Sequence, residues 1–398
     1  MKKRMIALLL CTVLLFSISG CNMQTEEKPH LGFSNGELFK DENQVIMPVD
    51  TLPYDVVKWD DYRGSLHYEQ LADGERTVYR ALEYALEKGY TNILVDGKLT
   101  QNGQSLEKVL YALALDSPML EQNLHCEIGS FTTYYPTMLF GLIETQTVFT
   151  GSYISVQNFS AEHLEKKGQA LTAAEKIVSD LPKDLTQKEK AETLFDYLCE
   201  HTTYEMYPVS EADAVHPYLY DGLITGKTQC DGFANSLSLL LNLAGVECVE
   251  KTYIGKEQSE VGHTWNFFQL DGAWYNADAT GGEGKQAEKQ QYFFGFPDAL
   301  QKNIPENIAD YPSSEKGLHF QIDAQLKDHL ELKSALKAAY KAHDNHWALI
   351  VVDKITEKQI RSAAQSLANA IDSEVHYMHM DLAEGRTALW FYNEKYFK

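Results

Sequence analysis

Cys230, His263 and Asp278 supply a thiol, an imidazole and a carboxylate at spacings that one small fold can gather at a point. Such a set suits nucleophilic acyl transfer. The thiol attacks a carbonyl, the imidazole carries the proton and the carboxylate orients the imidazole.

Asp271-Gly272 separates two apolar-rich runs, which is a strong hairpin signal. With these two residues in the turn, Leu270 faces Ala273, Trp265 faces Asp278 and His263 faces Thr280. His263 and Asp278 then become diagonal neighbours on one face, roughly 7–8 Å apart at the backbone and within side-chain reach. A bulge would shift this register.

Cys230 precedes an amphipathic run in which Phe233, Leu237, Leu240, Leu241 and Ala244 recur at helical spacing, with Gly245 as a stop. A helix N-terminus favours a thiolate, and an adjacent imidazole lowers the thiol further from its free value of about 8.5. Backbone N–H groups there suit an oxyanion.

The segment 220–234, with Thr228-Gln229-Cys230-Asp231-Gly232-Phe233-Ala234 at its end, resembles the nucleophile segment of the transglutaminase-like superfamily. Gly262-His263-Thr264-Trp265-Asn266, Leu270 to Tyr275 and Asp278-Ala279-Thr280 resemble its His and Asp segments, in the same order and with the same short gap. The resemblance covers about residues 165–295. It implies an α+β fold with a papain-like core, in which the helix bearing Cys230 packs on an antiparallel sheet bearing His263 and Asp278. It implies Cys230 as nucleophile, His263 as base and acid, and Asp278 as the orienting carboxylate. The family holds transglutaminases, cysteine proteases, amidases and inactive members, so membership leaves the reaction open. Tyr220, Gln229 and Trp265, beside the nucleophile and the histidine, are the candidates for substrate contact. His216 and Tyr218 read as aromatic packing under a loop at 203–216. Cys199 and Cys248 sit among apolar neighbours without a partner motif and read as core residues.

The beginning of the chain bears on location. Met1-Lys2-Lys3-Arg4 is basic, residues 5–18 are apolar but short for a membrane span, and Ile18-Ser19-Gly20-Cys21 resembles a bacterial lipoprotein cleavage box. That resemblance implies cleavage before Cys21 and lipid on it, so the expected location is the extracytoplasmic face of the cell membrane. Residues 22–30 are polar and read as a tether.

Hydrophobic residues at 44% and charged residues at 23% are ordinary globular values, so a folded body is expected beyond the tether. The formal net charge of −22 argues against nucleic acid and against docking on anionic lipid. With Cys21 lipidated and Cys230 free, the six cysteines form no disulfide framework. No CxxC pair suggests zinc, and the pairs His343/His346 and His376/His379 read as incidental, so no metal and no cofactor are expected.

The expected division is a signal peptide at 1–20, a tether at 21–45, an N-terminal α+β domain at 46–158, the transglutaminase-like domain at 159–300 and a C-terminal α/β region at 301–398. In the N-terminal domain the spacing predicts helices over 73–89 and 105–116 and strands near 131–135 and 145–156. Thr186-Gln187-Lys188-Glu189 is a capping box opening the next helix. Gly281-Gly282-Glu283-Gly284-Lys285 reads as a loop, and residues 292–294 close the sheet. In the C-terminal region Asp323 is expected to cap a helix reaching 342, followed by a strand at 347–352, a helix at 356–371 and strands at 374–380 and 387–392, forming an accessory module that docks a partner.

The function so implied is a surface-anchored thiol enzyme acting on amide or peptide carbonyls, as protease, amidase or transglutaminase, with a protein or peptide of the cell envelope as substrate. The alternative is a catalytically silent module that binds or scaffolds at the cell surface.

Overall fold

The structure, a computed structural model, describes residues 61–393 except 88–91, 97–102, 121–124, 140–141, 158–160, 208–215, 254–261, 285–292, 304, 306–309, 320 and 345. The expected leader, Cys21 and the expected tether lie outside the described residues. Among the described residues no helix is long and apolar enough to cross a membrane.

Helices α1 (Asp73–Glu87) and α2 (Gly103–Asp116) form where the spacing predicts them. Val78 and Leu82 on α1 are buried, as are Leu106, Val109, Leu110 and Leu113 on α2. Strands β1 (Asn92–Asp96), β2 (His125–Leu139) and β3 (Leu142–Gln157) make an antiparallel sheet in the order β1-β3-β2, with an irregularity in β2 between Thr133 and Tyr134. The short apolar run Ile93-Leu94-Val95 is the sequence signal for β1, which the period-based reading passes over.

Next come α3 (Ala161–Ser179) and α4 (Gln187–His201). Thr186 and Glu189 cap α4 reciprocally, each side chain taking the other's backbone N–H. Helix α5 (Cys230–Leu243) follows and is buried along nearly its whole length. Its end is a Schellman motif. Gly245 adopts φ +79°, its N–H donates to Asn242 O, and Val246 N–H donates to Leu241 O.

Helix α5 packs on an antiparallel sheet of β4 (Cys248–Tyr253), β5 (His263–Leu270), β6 (Ala273–Ala277) and β7 (Phe294–Phe296), in that order. Phe233, Leu237 and Leu240 of α5 share one core with Leu194 and Phe195 of α4, with Phe268 of β5 and with the apolar faces of α1 and α2. This is the α+β arrangement, with the cysteine helix against the sheet that carries the histidine.

The β5–β6 hairpin adopts the expected register from Leu270–Ala273 to Asn266–Ala277. Asp271 and Gly272 take φ of +50° and +77°, the two left-handed positions of a type I′ turn. The ladder then stops, so the expected pairs Trp265–Asp278 and His263–Thr280 do not form. Asp278 instead donates its N–H to Phe293 O, and its side chain caps a helical turn at Ala279–Gly282. The expected loop at 281–285 therefore begins as helix. A Cβ on Gly282 would meet Cys199 and Phe195 of α4, so only glycine lets this turn approach so closely.

The C-terminal region forms a four-stranded sheet of β8 (Ala324–Leu326), β9 (Trp347–Asp353), β10 (His376–Asp381) and β11 (Arg386–Tyr392), in the order β8-β9-β11-β10, with helices α6 (Leu332–Ala342) and α7 (Glu357–Ile371). Asp323 does not cap α6. Its carboxylate accepts from Leu349 N–H and His343 Nε2, because residues 324–326 are drawn into the sheet beside Ile350 to Val352. Leu336, Ile360 and Leu367 bury against Ile350 and Phe391 on one face of this sheet. On the other face Leu349, Val351 and Trp390 bury against Trp265, Phe296 and Leu300 of the half that carries Cys230. This face of the C-terminal sheet is covered by the chain's own core.

Candidate active site

Cys230 is the first residue of α5 and is buried, at 8% exposure. His263 opens β5, and Asp278 stands where the chain leaves β6. His263 Nε2 lies 2.9 Å from Asp278 Oδ2. Asp278 Oδ1 accepts from Gly281 N–H at 3.1 Å, so both carboxylate oxygens are engaged and the group cannot swing. The Cys230 thiol hydrogen-bonds to the His263 side chain and to the Thr264 backbone N–H. With Nε2 held by Asp278, Nδ1 is the ring nitrogen left to face the thiol. The three residues singled out from sequence therefore converge.

Four neighbours fix this arrangement. The indole of Trp265 stacks on the His263 ring with centroids 5.9 Å apart and planes inclined by 15°. Its Nε1–H donates to Asn276 Oδ1 at 3.2 Å. That oxygen also accepts from the buried Lys251 ammonium at 3.0 Å and from Gln301 at 2.9 Å.

Burial works against charge on His263, but the Asp278 carboxylate and the hydrogen bonds to Asp278 and Cys230 outweigh it, so the imidazole titrates well above its ordinary value. Burial likewise opposes charge on Asp278, and His263 with the Gly281 N–H holds that carboxyl below the usual range. Cys230 departs from expectation. Burial raises the thiol's pKa, the Asp231 carboxyl raises it further, and the His263 and Thr264 hydrogen bonds only partly oppose them. The depressed thiol expected at a helix N-terminus is not what these surroundings give, because desolvation and a like charge outweigh the helix and the imidazole.

Gln229 lies in the site as a buried group. Its Nε2 donates to the Tyr218 hydroxyl at 2.9 Å and to Asp231 Oδ2 at 3.4 Å. Trp265 sits behind His263, 4% exposed. Tyr220 packs on α3, with the Lys166 ammonium 5.7 Å from its ring centroid. Sequence reasoning passes over Asp231, Thr264 and Tyr204. Thr264 Oγ1 donates to Asp231 Oδ1 at 2.6 Å, and Tyr204 lies beside Cys230 and Asp231 with 39% exposure. For Asp231 and Thr264, adjacency to Cys230 and His263 was the available signal, whereas Tyr204 is brought in only by the fold. Cys199 and Cys248 are buried free thiols whose pKa values burial drives upward. Among the described residues no group of three or more His, Cys, Asp or Glu side chains forms a metal-binding cluster.

Residues 172–279 match the family model of the transglutaminase-like superfamily, and all three site residues fall inside the match. This segment is a transglutaminase-like domain. The domain is similar to kyphoscoliosis peptidase of Homo sapiens, 30% identical over 125 residues, which is 29% of this chain and 19% of that protein. The mouse counterpart is 30% identical over 118 residues, covering 27% of this chain and 18% of its own length. The chain thus spans less than a fifth of these curated relatives. Among solved structures, a TGase aligns over 40% of this chain and 46% of its own at 19% identity and a TM-score of 0.24. The periplasmic domain of TgpA from Pseudomonas aeruginosa aligns over 38% and 64% at 17% identity and a TM-score of 0.21. The transglutaminase-like domain supports a cysteine-based, enzyme-like module.

Proposed function

We propose that this chain is a thiol acyl-transfer enzyme, held by lipid on Cys21 at the extracytoplasmic face of a bacterial membrane. The observation that carries this reading is the convergence of Cys230, His263 and Asp278, with the imidazole bonded to the other two. Cys230 Sγ forms a bond to a carboxamide or peptide carbonyl carbon. The carbonyl electrons move to oxygen, which the N–H groups of the first turn of α5 are placed to stabilise. As the C–N bond breaks, His263 delivers the proton taken from the thiol to the leaving amine. Asp278 keeps the imidazole in the required tautomer and orientation. The thioester then passes its acyl group to water or to an amine, and Cys230 regains its proton through His263. Proteins and peptides of the cell envelope are the substrates within reach of such an anchor. The leader with its Ile18-Ser19-Gly20-Cys21 sequence supports that location.

The test is incubation of the full chain with carboxamide-bearing peptides, with and without a fluorescent primary amine. Cleavage, ammonia release or amine incorporation should appear and vanish in Cys230→Ala. No turnover in the wild type would sink the enzyme reading, and turnover that survives Cys230→Ala would sink Cys230 as its nucleophile. A Cys21→Ser chain that still partitions with membranes would sink the anchor.

One observation favours a second reading. Cys230 is 8% exposed and its thiol is disfavoured as an anion, as in a silent binding module. Cys230 alkylation that His263→Ala does not alter would promote that module.

A further inference from the structure

Asp231 follows the nucleophile directly, is 4% exposed and has no role in the acyl transfer described above. Its carboxyl group joins the two segments that carry the chemistry. Oδ1 accepts from the hydroxyl of Thr264, the residue after His263, at 2.6 Å. Oδ2 accepts from Gln229, the residue before Cys230, at 3.4 Å, and the Tyr218 hydroxyl also bonds to this group. The nearby titratable groups are Cys230 on α5, His263 on β5, Tyr218 before α5, and Tyr204 and Tyr207 on the segment preceding it. The imidazole thus feels two carboxyl groups, Asp278 through a contact of 2.9 Å and Asp231 through its charge.

A negative charge here acts on the thiol and the imidazole in the same sense. It disfavours the Cys230 thiolate and favours the His263 imidazolium. The reactive pair carries one proton, as thiolate with imidazolium or thiol with imidazole. A pair that carries two, thiol with imidazolium, is unreactive. We propose that Asp231 is a positioning residue that ties the Cys230 and His263 segments together through Thr264 and Gln229, and that its charge, when present, disfavours the reactive one-proton pair. Reactivity then sets in at a higher pH than it would without that charge. This deepens the acyl-transfer reading and rests on it. Burial raises the Asp231 pKa, and the Thr264 hydroxyl, the His263 charge, Gln229 and Tyr218 oppose that rise.

The experiment is the iodoacetamide alkylation rate of Cys230 against pH, read by peptide mass spectrometry on the full chain, for wild type, Asp231→Asn and His263→Ala. Asparagine keeps the shape and an acceptor for Thr264 but removes the charge. The onset of alkylation should move down by about one pH unit in Asp231→Asn, giving roughly tenfold faster labelling at a fixed pH below the wild-type onset. A folded Asp231→Asn chain with the wild-type profile, beside a profile altered by His263→Ala, would overturn the role of Asp231 and leave the enzyme reading standing. An unchanged profile in both variants would overturn both. Should Asp231→Asn give no cooperative melt, the wild-type profile decides alone. Onset above about pH 8.5, the value of an ordinary thiol, supports the proposal, and onset at or below it overturns it.

Discussion

His263 Nε2 and Asp278 Oδ2 are 2.9 Å apart although the two residues do not pair in the hairpin that carries them. The β5–β6 ladder ends at Asn266–Ala277, and Asp278 is instead fixed from outside the hairpin by Phe293 O and Gly281 N–H. The carboxylate is therefore oriented by a helical turn as much as by the strand. Asp278→Asn should keep the fold but present an amide N–H or a weaker acceptor to the imidazole. Turnover in the peptide assay should fall by about 10⁴-fold, the scale of losing the correct tautomer in a comparable triad, with little change in KM.

The same pair should leave a pH signature on stability. His263 titrates above its ordinary value, so its contribution is complete below about pH 6.5 and is lost as pH rises through the folded value. Asp278 titrates below its ordinary value, so its contribution is complete above about pH 3.9 and is lost as pH falls through the folded value. The melting temperature lost in His263→Gln should therefore be greatest between about pH 4 and 6.5. A loss that does not vary from pH 4 to 10 would contradict the pairing.

Asp231 should carry a stability cost. Its folded pKa is raised by burial, so the native state pays as pH rises from about 4 through the folded value. Asp231→Asn should melt a few degrees above wild type at pH 7, with the difference closing as pH falls toward 4. Thermal melts at the two pH values check this.

Gly232 lies one residue beyond Asp231, and a Cβ there would run into the side chain of Thr228. That hydroxyl lies 3.3 Å from the Tyr207 hydroxyl, so the strain is passed on to Tyr207. Gly232→Ala should cost about 1–3 kcal/mol by overpacking and reduce turnover in the peptide assay. Chemical denaturation measures the first and the assay the second.

Leu349 is fully buried where the C-terminal sheet meets Trp265 and Phe296. Leu349→Ala should destabilise the protein by about 2–5 kcal/mol. Because Trp265 stacks on His263, the alkylation rate of Cys230 should change as well. A changed melt with unaltered thiol reactivity would show that this interface does not reach the site.

The local features of this protein were legible in its sequence. Asp271-Gly272 dictates a type I′ turn, since both positions need φ above zero, and the turn sets the hairpin register. The capping boxes at Thr186 and Thr356 open α4 and α7, and Gly245 ends α5, because each satisfies backbone groups within a few residues. The order of Cys230, His263 and Asp278 was sufficient to nominate them. What lay beyond sequence depends on groups far apart in the chain. The ladder's early end follows from Phe293, the pairing of residues 324–326 follows from β9, and the use of the C-terminal sheet follows from Trp265 and Phe296. The direction in which the Cys230 thiol shifts was settled the same way. Helix position and imidazole favour the anion and are visible locally, whereas burial and the inward-facing Asp231 exist only once α5 is packed on β5.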